Sequence, residues 1–267
     1  MDELTYVRMT GAGNDFCVLD ARGKTLNLEE LAIELCKKHG TDGFMALDHS
    51  EKCDFRLHFY NADGSRGEMC GNGARCICRF AYDLGLADTH MTVETDAGTV
   101  EGWHLKEDFY RVKLNNPGVV DLHRKQDTAY IELGCPGIPH AVRQVPGLCW
   151  SMRDSLRPLG RALRYDKAFP KGANVNFYTW LSPHTIRILT YERGVEDFTL
   201  ACGTGSGSVA AVLYLAGQLP GKHLSVENPG GTLKVTLEAQ GQTITALYLE
   251  GKAEYENAPR PYERRKR

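Results

Sequence analysis

Between Cys76 and Leu84 the apolar residues Cys76, Ile77, Phe80, Ala81 and Leu84 recur at helical spacing, and Gly85 follows where a helix should stop. The same grammar returns half a chain later. Val209, Val212, Leu213 and Ala216 keep that spacing within a nearly all-apolar run, which predicts a buried helix, and Gly217 closes it. Each helix opens on Cys-Gly-x-Gly, and each is followed by two predicted strands. These cover residues 91–95 and 99–103 after the first helix, and 224–227 and 232–237 after the second. Leu233, Val235 and Leu237 alternate with polar residues, as a half-buried strand requires.

The two stretches stay in register well beyond the cysteines. An offset of 132 residues relates Cys70 to Cys202 and Gly85 to Gly217; one inserted residue later, His90, Val93, Glu94, Gly98 and Thr99 match His223, Val226, Glu227, Gly231 and Thr232. Two copies at half the chain length predict two similar domains rather than a solenoid. Further strands are predicted at 5–9, 16–20, 55–61, 111–114, 130–133, 175–180, 185–191 and 243–250. A helix is predicted from Leu28 to Lys38, with Asn27 as N-cap and Glu30 completing a capping box. Another is predicted over 151–163, weakened by Pro158. The fold expected is α+β: two pseudo-symmetric domains, each a curved mixed sheet or barrel around a central helix. Their boundary is placed near Asn116–Asp127, where Asn-Pro-Gly marks a turn, giving halves 1–117 and 118–251 with residues 252–267 packing back on the first.

Composition narrows the function. The 267 residues carry 32 Lys+Arg and 34 Asp+Glu, a formal charge of −2, which argues against bulk nucleic-acid binding. No run approaches the ~18 apolar residues of a membrane span. Nine cysteines, an odd number, and an N-terminus without an apolar signal core read as reduced thiols in a cytoplasm. No Cys-x-x-Cys pair is present and no histidine cluster completes a tetrahedral site, so no structural metal is expected. The basic tail from Arg260 to Arg267 reads as a solvated terminus.

Cys70 and Cys202 stand apart from the other thiols. Each immediately precedes a glycine-rich helix N-terminus, which presents unpaired N–H groups and partial positive charge. That setting lowers a thiol from its usual value of ~8.5. The same N–H groups can hold a carboxylate or a developing oxyanion, and Gly71, Gly73, Gly203 and Gly205 let a ligand approach the backbone. If the halves face each other, one thiol stands on each side of the space between them. Two acid–base groups on opposite faces of one carbon are what stereoinversion of an α-amino acid needs, without a cofactor.

Seven blocks carry a family resemblance: GAGNDF (11–16), FYNADGSRGEMCGNGARC (59–76), GIPHAV (137–142), GANVNF (172–177), YERGV (191–195), ACGTG (201–205) and NPGGTL (228–233). In these the chain resembles the diaminopimelate epimerases, cofactor-independent amino-acid epimerases that use two cysteines. The resemblance implies that Cys70 and Cys202 are the acid–base pair, and that Gly71, Asn72, Gly203 and Thr204 bind the carboxylate at the reacting centre. It implies that Asn14, Asn61, Asn174, Glu192 and Arg193 hold the substrate, chiefly its distal end, with His140 beside the site in a supporting role. It further implies a homodimer and the conversion of LL- to meso-diaminopimelate, which feeds lysine and peptidoglycan synthesis. Two departures stand out. Ile138 occupies a place where the family has an asparagine that grips the distal end, and the segment 196–200 lacks the usual Gly-Glu. A racemase of another amino acid, such as histidine, with the same two thiols therefore remains an alternative. So do a redox pair of low-pKa thiols and a non-catalytic binding protein.

Overall fold

A computed structural model describes residues 4–67 and 70–262; the last five residues of the basic tail lie outside them. The chain divides into two compact units, one of residues 1–112 with 252–267, the other of residues 113–251.

The first unit contains β1 (Thr5–Gly11), β2 (Asn14–Asp20), α1 (Leu28–His39), β3 (Gly43–Asp48), β4 (Phe55–Asn61), α2 (Gly71–Asp83), β5 (His90–Thr95), β6 (Gly98–Lys106) and β7 (Phe109–Leu114). The second contains β8 (Pro117–Lys125), β9 (Thr128–Gly134), β10 (Gly137–Gln144), α3 (Arg153–Arg164), β11 (Asn174–Ser182), β12 (Thr185–Tyr191), α4 (Gly203–Leu215), β13 (His223–Asn228), β14 (Gly231–Gln240) and β15 (Thr243–Lys252). Two short strands follow, β16 (Glu254–Tyr255) and β17 (Arg260–Pro261).

The repeat read from the helices extends to the whole topology. β1 and β2 form an antiparallel hairpin, as do β9 and β10. A helix then crosses to a parallel neighbour, β2 to β3 in one unit and β10 to β11 in the other. Antiparallel β3–β4 matches β11–β12, and parallel β4–β5 across α2 matches parallel β12–β13 across α4. The β5–β6–β7 meander matches β13–β14–β15. The free side of β1 is covered by β16 and β17 from the C-terminal segment, and that of β9 by β8. Each unit is thus a curved mixed sheet about a central helix.

α4 is buried because it is nearly apolar all round, whereas α2 is amphipathic and buries Gly71–Cys78, Phe80 and Ala81 while Asp83 stays exposed. α4 packs on β8 to β11, β13 and β14; α2 packs on β1, β2, β3 and β6. Both end as the glycines predict, with Gly85 and Gly217 in the left-handed region at φ 68° and 69°. α1 buries one stripe, Leu31, Ala32, Leu35 and Cys36, and Asn27 caps it by accepting from the Glu30 N–H. α3 continues through Pro158 after a 3-10 turn at 150–152. Burial of Leu156, Gly160 and Leu163 compensates the hydrogen bond that proline removes.

Three segments differ from the sequence expectation. Residues 117–125 form β8, paired with β9, rather than a connection. Pro117 begins that strand, where a missing N–H is tolerated, and Val119 and Val120 lie exposed on it. β3 is a continuous apolar run buried on both faces, so it carries no alternation. β10, which was not among the predicted strands, contains Pro139 and pairs with β9 on one side and β11 on the other.

Candidate active site

In the first unit Cys70 is the N-cap of α2, with extended backbone (φ −96°, ψ 125°) and a carbonyl that accepts from the Ala74 N–H at 2.8 Å. Its side chain is half-buried. Gly71 and Asn72 form the first helical positions and are buried. The close approach of β1 requires Gly11, since a Cβ there would stand 2.9 Å from the Asn72 carbonyl. Asn14 begins β2, directly after the tight turn at Ala12–Gly13. Asn72 Nδ2 donates to Asn14 Oδ1 at 2.6 Å, and Asn14 Nδ2 donates to Asp42 Oδ2 at 3.3 Å. Asn61 ends β4 and donates to Ser65 Oγ at 3.0 Å, within a turn that Asp63 and Gly64 close. Among the described residues no hydrogen bond ties Asn61 to Asn14 or Asn72.

Arg75 was not singled out in the sequence. It is fully buried and donates from Nη1 to the Gly71 carbonyl (3.2 Å), from Nη2 to Asn72 Oδ1 (2.9 Å) and from Nε to the Lys252 carbonyl (3.5 Å). Its signal was a lone cation one residue before the apolar stripe that begins at Cys76.

In the second unit Cys202 is the N-cap of α4 (φ −117°, ψ 112°) and is buried. Its sulfur accepts from the Gly205 N–H at 3.3 Å and lies 3.6 Å from Thr204 Oγ1. Its carbonyl accepts from the N–H and hydroxyl of Ser206 at 2.9 and 3.0 Å. Gly203 is buried at the first helical position. In a helix these first N–H groups have no intrahelical acceptor, so both helix starts present donors and partial positive charge.

Asn174 begins β11 and is spent on the protein itself. It donates to the Pro139 carbonyl at 3.3 Å and accepts from the Arg193 N–H at 2.8 Å, so it pins the turn carrying Glu192 and Arg193. Glu192 accepts from Thr199 Oγ1 at 2.5 Å, and Arg193 donates to the Lys171 carbonyl at 3.3 Å. Gly194 (φ 91°) and Glu196 (φ 58°) close the turn, and Arg164 pairs with Glu196 at 3.0 Å. His140 is wholly buried on β10. Burial, aided by the Arg193 charge, pushes it down to about 3, so the ring is neutral.

A second missed residue, Asn176, binds this group together. Its Nδ2 lies 3.2 Å from His140 Nδ1 and donates to the Ala141 carbonyl at 3.0 Å, while its Oδ1 accepts from Thr190 Oγ1 at 3.0 Å. It stands two residues after Asn174 on the same strand face. His140 Nε2 has no hydrogen-bond partner among the described residues. Among those residues no cluster of three or more histidine, cysteine or carboxylate side chains is arranged to hold a metal, and no helix is long and apolar enough to cross a membrane.

Comparison with known proteins agrees with this architecture. The sequence profile of the diaminopimelate epimerase family matches residues 6–117 and 135–256. The diaminopimelate epimerase of Archaeoglobus fulgidus is 36% identical over 275 residues, covering 94% of this chain and 93% of its own. That of Aquifex aeolicus is 36% identical over 268 residues, covering 93% and 94%. Among solved structures, a PhzF-family phenazine biosynthesis protein of Bacillus anthracis superposes with a TM-score of 0.72 at 17% identity, covering 98% of this chain and 100% of its own. A hydroxyproline epimerase of Agrobacterium vitis superposes at 0.68 and 15% identity, covering 98% and 91%. At such identities the structures speak for the fold alone.

Proposed function

The chain belongs to the diaminopimelate epimerase family and is an isomerase; from that premise we propose that it inverts an amino-acid α-carbon with two thiols and no cofactor, converting LL- to meso-diaminopimelate. The observation that carries the reading is the equivalence of Cys70 and Cys202. Both are N-caps of the buried helix at the same point of a duplicated topology. Both helices open on glycines whose N–H groups can receive a carboxylate.

One cysteine, as thiolate, takes the proton from Cα, and the electron pair left behind delocalises into the substrate carboxylate. The other, as thiol, gives its proton to the opposite face of the same carbon. The pair ends with its protonation exchanged, so atoms and charge balance. Backbone N–H groups at Gly71, Asn72, Gly203 and Thr204 stabilise the charge that develops on the carboxylate. Arg193 offers a planar fork to the distal carboxylate and Glu192 an acceptor to the distal ammonium. Asn14, Asn61 and Asn174 serve that end, Asn174 by holding the Arg193 turn in place. His140, neutral and buried, acts as support. The enzyme works as a cytoplasmic homodimer.

The test is solvent exchange. In D2O, turnover of LL-diaminopimelate should place deuterium at Cα without pyridoxal phosphate. Loss of epimerisation is expected in both Cys70→Ala and Cys202→Ala, by about a hundredfold or more; undiminished turnover by either variant refutes the mechanism.

One observation favours a second substrate. Ile138 on β10 is half-buried and presents no hydrogen-bonding side chain. Chiral chromatography of L-histidine and other amino acids beside LL-diaminopimelate separates the two readings.

A further inference from the structure

α3 carries three arginines on one stripe. Arg153, Arg157 and Arg164 lie within about 40° of one another around the helix. On that side a Cβ on Gly160 would stand 3.0 Å from Tyr191 Cγ at the end of β12. The three reach three consecutive residues just after the Glu192–Arg193 turn. Arg164 donates to Glu196 Oε1 from Nε at 3.0 Å, and its Nη2 lies 3.0 Å from the same oxygen. Arg157 donates from Nη1 to Asp197 Oδ1 at 3.0 Å, and Arg153 from Nη2 to the Phe198 carbonyl at 2.7 Å. Residues 196–200 are where this chain departs from the family's Gly-Glu.

Arg164 is the more sheltered of the two arginines that meet a carboxylate, its side chain 14% exposed against 39% for Arg157. The Tyr165 ring stands 4.5 Å from its guanidinium. Its partner Glu196 sits at φ 58°, a left-handed conformation that a residue other than glycine seldom takes. Glu196 Oε1 also accepts from the Gly194 N–H at 3.0 Å, and the Glu196 N–H donates to the Glu192 carbonyl at 2.8 Å. Main chain and side chain therefore both close the turn. On its other side Arg164 lies against Gly172, where a Cβ would overlap Nη1, and its carbonyl accepts from the Ala173 N–H at 3.4 Å. The stretch 171–174 is what grips Arg193, through the Lys171 carbonyl and Asn174 Oδ1. One guanidinium thus touches both stretches of backbone that hold Arg193. A charge-assisted contact through two nitrogens, partly shielded from water, fixes geometry better than an exposed pair.

We propose that Arg164 is a positioning residue for the distal end of the substrate. It acts through Glu196, holding the 192–196 turn at the setting in which Arg193 receives a distal carboxylate and Glu192 a distal ammonium. This rests on the distal reading of Glu192 and Arg193 and deepens it. Arg164 governs how tightly that end is bound, and leaves proton transfer at Cα alone. Phe198, buried edge-on against Tyr191, roots the far end of the segment in the core, so the arginines act on its near end.

The test combines steady-state kinetics with LL-diaminopimelate and amide hydrogen exchange of the full chain. Arg164→Met should raise KM about tenfold with kcat little changed, and Arg164→Lys, which keeps the charge and one bond, should recover most of that loss. Amides of residues 192–197 should exchange about tenfold faster in Arg164→Met, with those of α4 unmoved. Glu196→Gly should reproduce both changes, since glycine accepts the positive φ and only the carboxylate is lost; this variant serves if Arg164→Met fails to fold. The double variant should show no larger KM than the worse single one, because the two residues act as a unit. Additive KM effects, a fall in kcat at constant KM, or unmoved amides in both single variants overturns the proposal. Arg193→Met separates the readings. If it raises KM while Arg164→Met does not, the proposal fails; if Arg193→Met leaves KM unmoved, the distal reading fails, and amide exchange judges the Arg164 clamp by itself.

Discussion

Asn72 donates to Asn14 across 2.6 Å, joining the first turn of α2 to the first residue of β2. The direction is set from behind, because Asn72 Oδ1 is taken by Arg75 and its amide nitrogen must therefore face Asn14. Asp42 holds Asn14 in turn. A line of hydrogen bonds thus fixes the helix start that carries Cys70.

Asn14→Ala removes the acceptor from this buried amide. A loss of about 1–3 kcal/mol in unfolding free energy is expected, together with reduced turnover in the exchange assay. Urea denaturation at neutral pH checks the first; an unchanged midpoint would mean the bond contributes nothing.

Gly73 and Gly205 are equivalent in the repeat but stand above different neighbours. A Cβ at Gly205 would run into Asn176 Oδ1 and stand 3.1 Å from Cys202 Cβ, and Asn176 is held by four groups. A Cβ at Gly73 would meet the Met45 sulfur at 3.2 Å, the flexible part of a side chain that can yield. Gly205→Ala should therefore cost about 1–3 kcal/mol and depress activity, and Gly73→Ala should cost clearly less. Parallel thermal and urea unfolding of the two variants decides it.

Burial holds His140 neutral in the folded chain down to about 3, against ~6.5 when unfolded. The unfolded state therefore binds the extra proton first as pH falls. Stability from this group is whole above about pH 6.5 and is lost towards pH 3. Between pH 7.5 and 5 the wild type should lose about 2 kcal/mol more than His140→Asn, measured by urea unfolding at each pH. Equal losses would show that His140 already titrates normally in the fold.

Ile138→Asn supplies an amide at a half-buried position of β10. If the substrate is diaminopimelate, KM for it should fall several-fold with little change in kcat. If an apolar distal group is the natural substrate, that variant should lose turnover of it instead. Steady-state kinetics with both compounds separates these outcomes.

Local signals made much of this protein legible from its residues alone. The stripe beginning at Cys76, the glycines after each helix and the register from Cys70 to Thr99 sufficed for a duplicated α+β fold, with both cysteines at helix starts. The family was readable for the same reason, since its blocks are contiguous. What the order of residues did not disclose depends on partners distant along the chain. β3 and β10 became strands through their neighbours rather than through alternation or propensity. Asn174 was expected among the substrate contacts, and only the fold revealed its bonds to Pro139 and Arg193. Arg75 and Asn176 acquired their weight only once strands and helix closed around them. Whether a buried polar group is satisfied, and by what, is decided by tertiary packing, because hydrophobic periodicity records which face is covered and not what covers it.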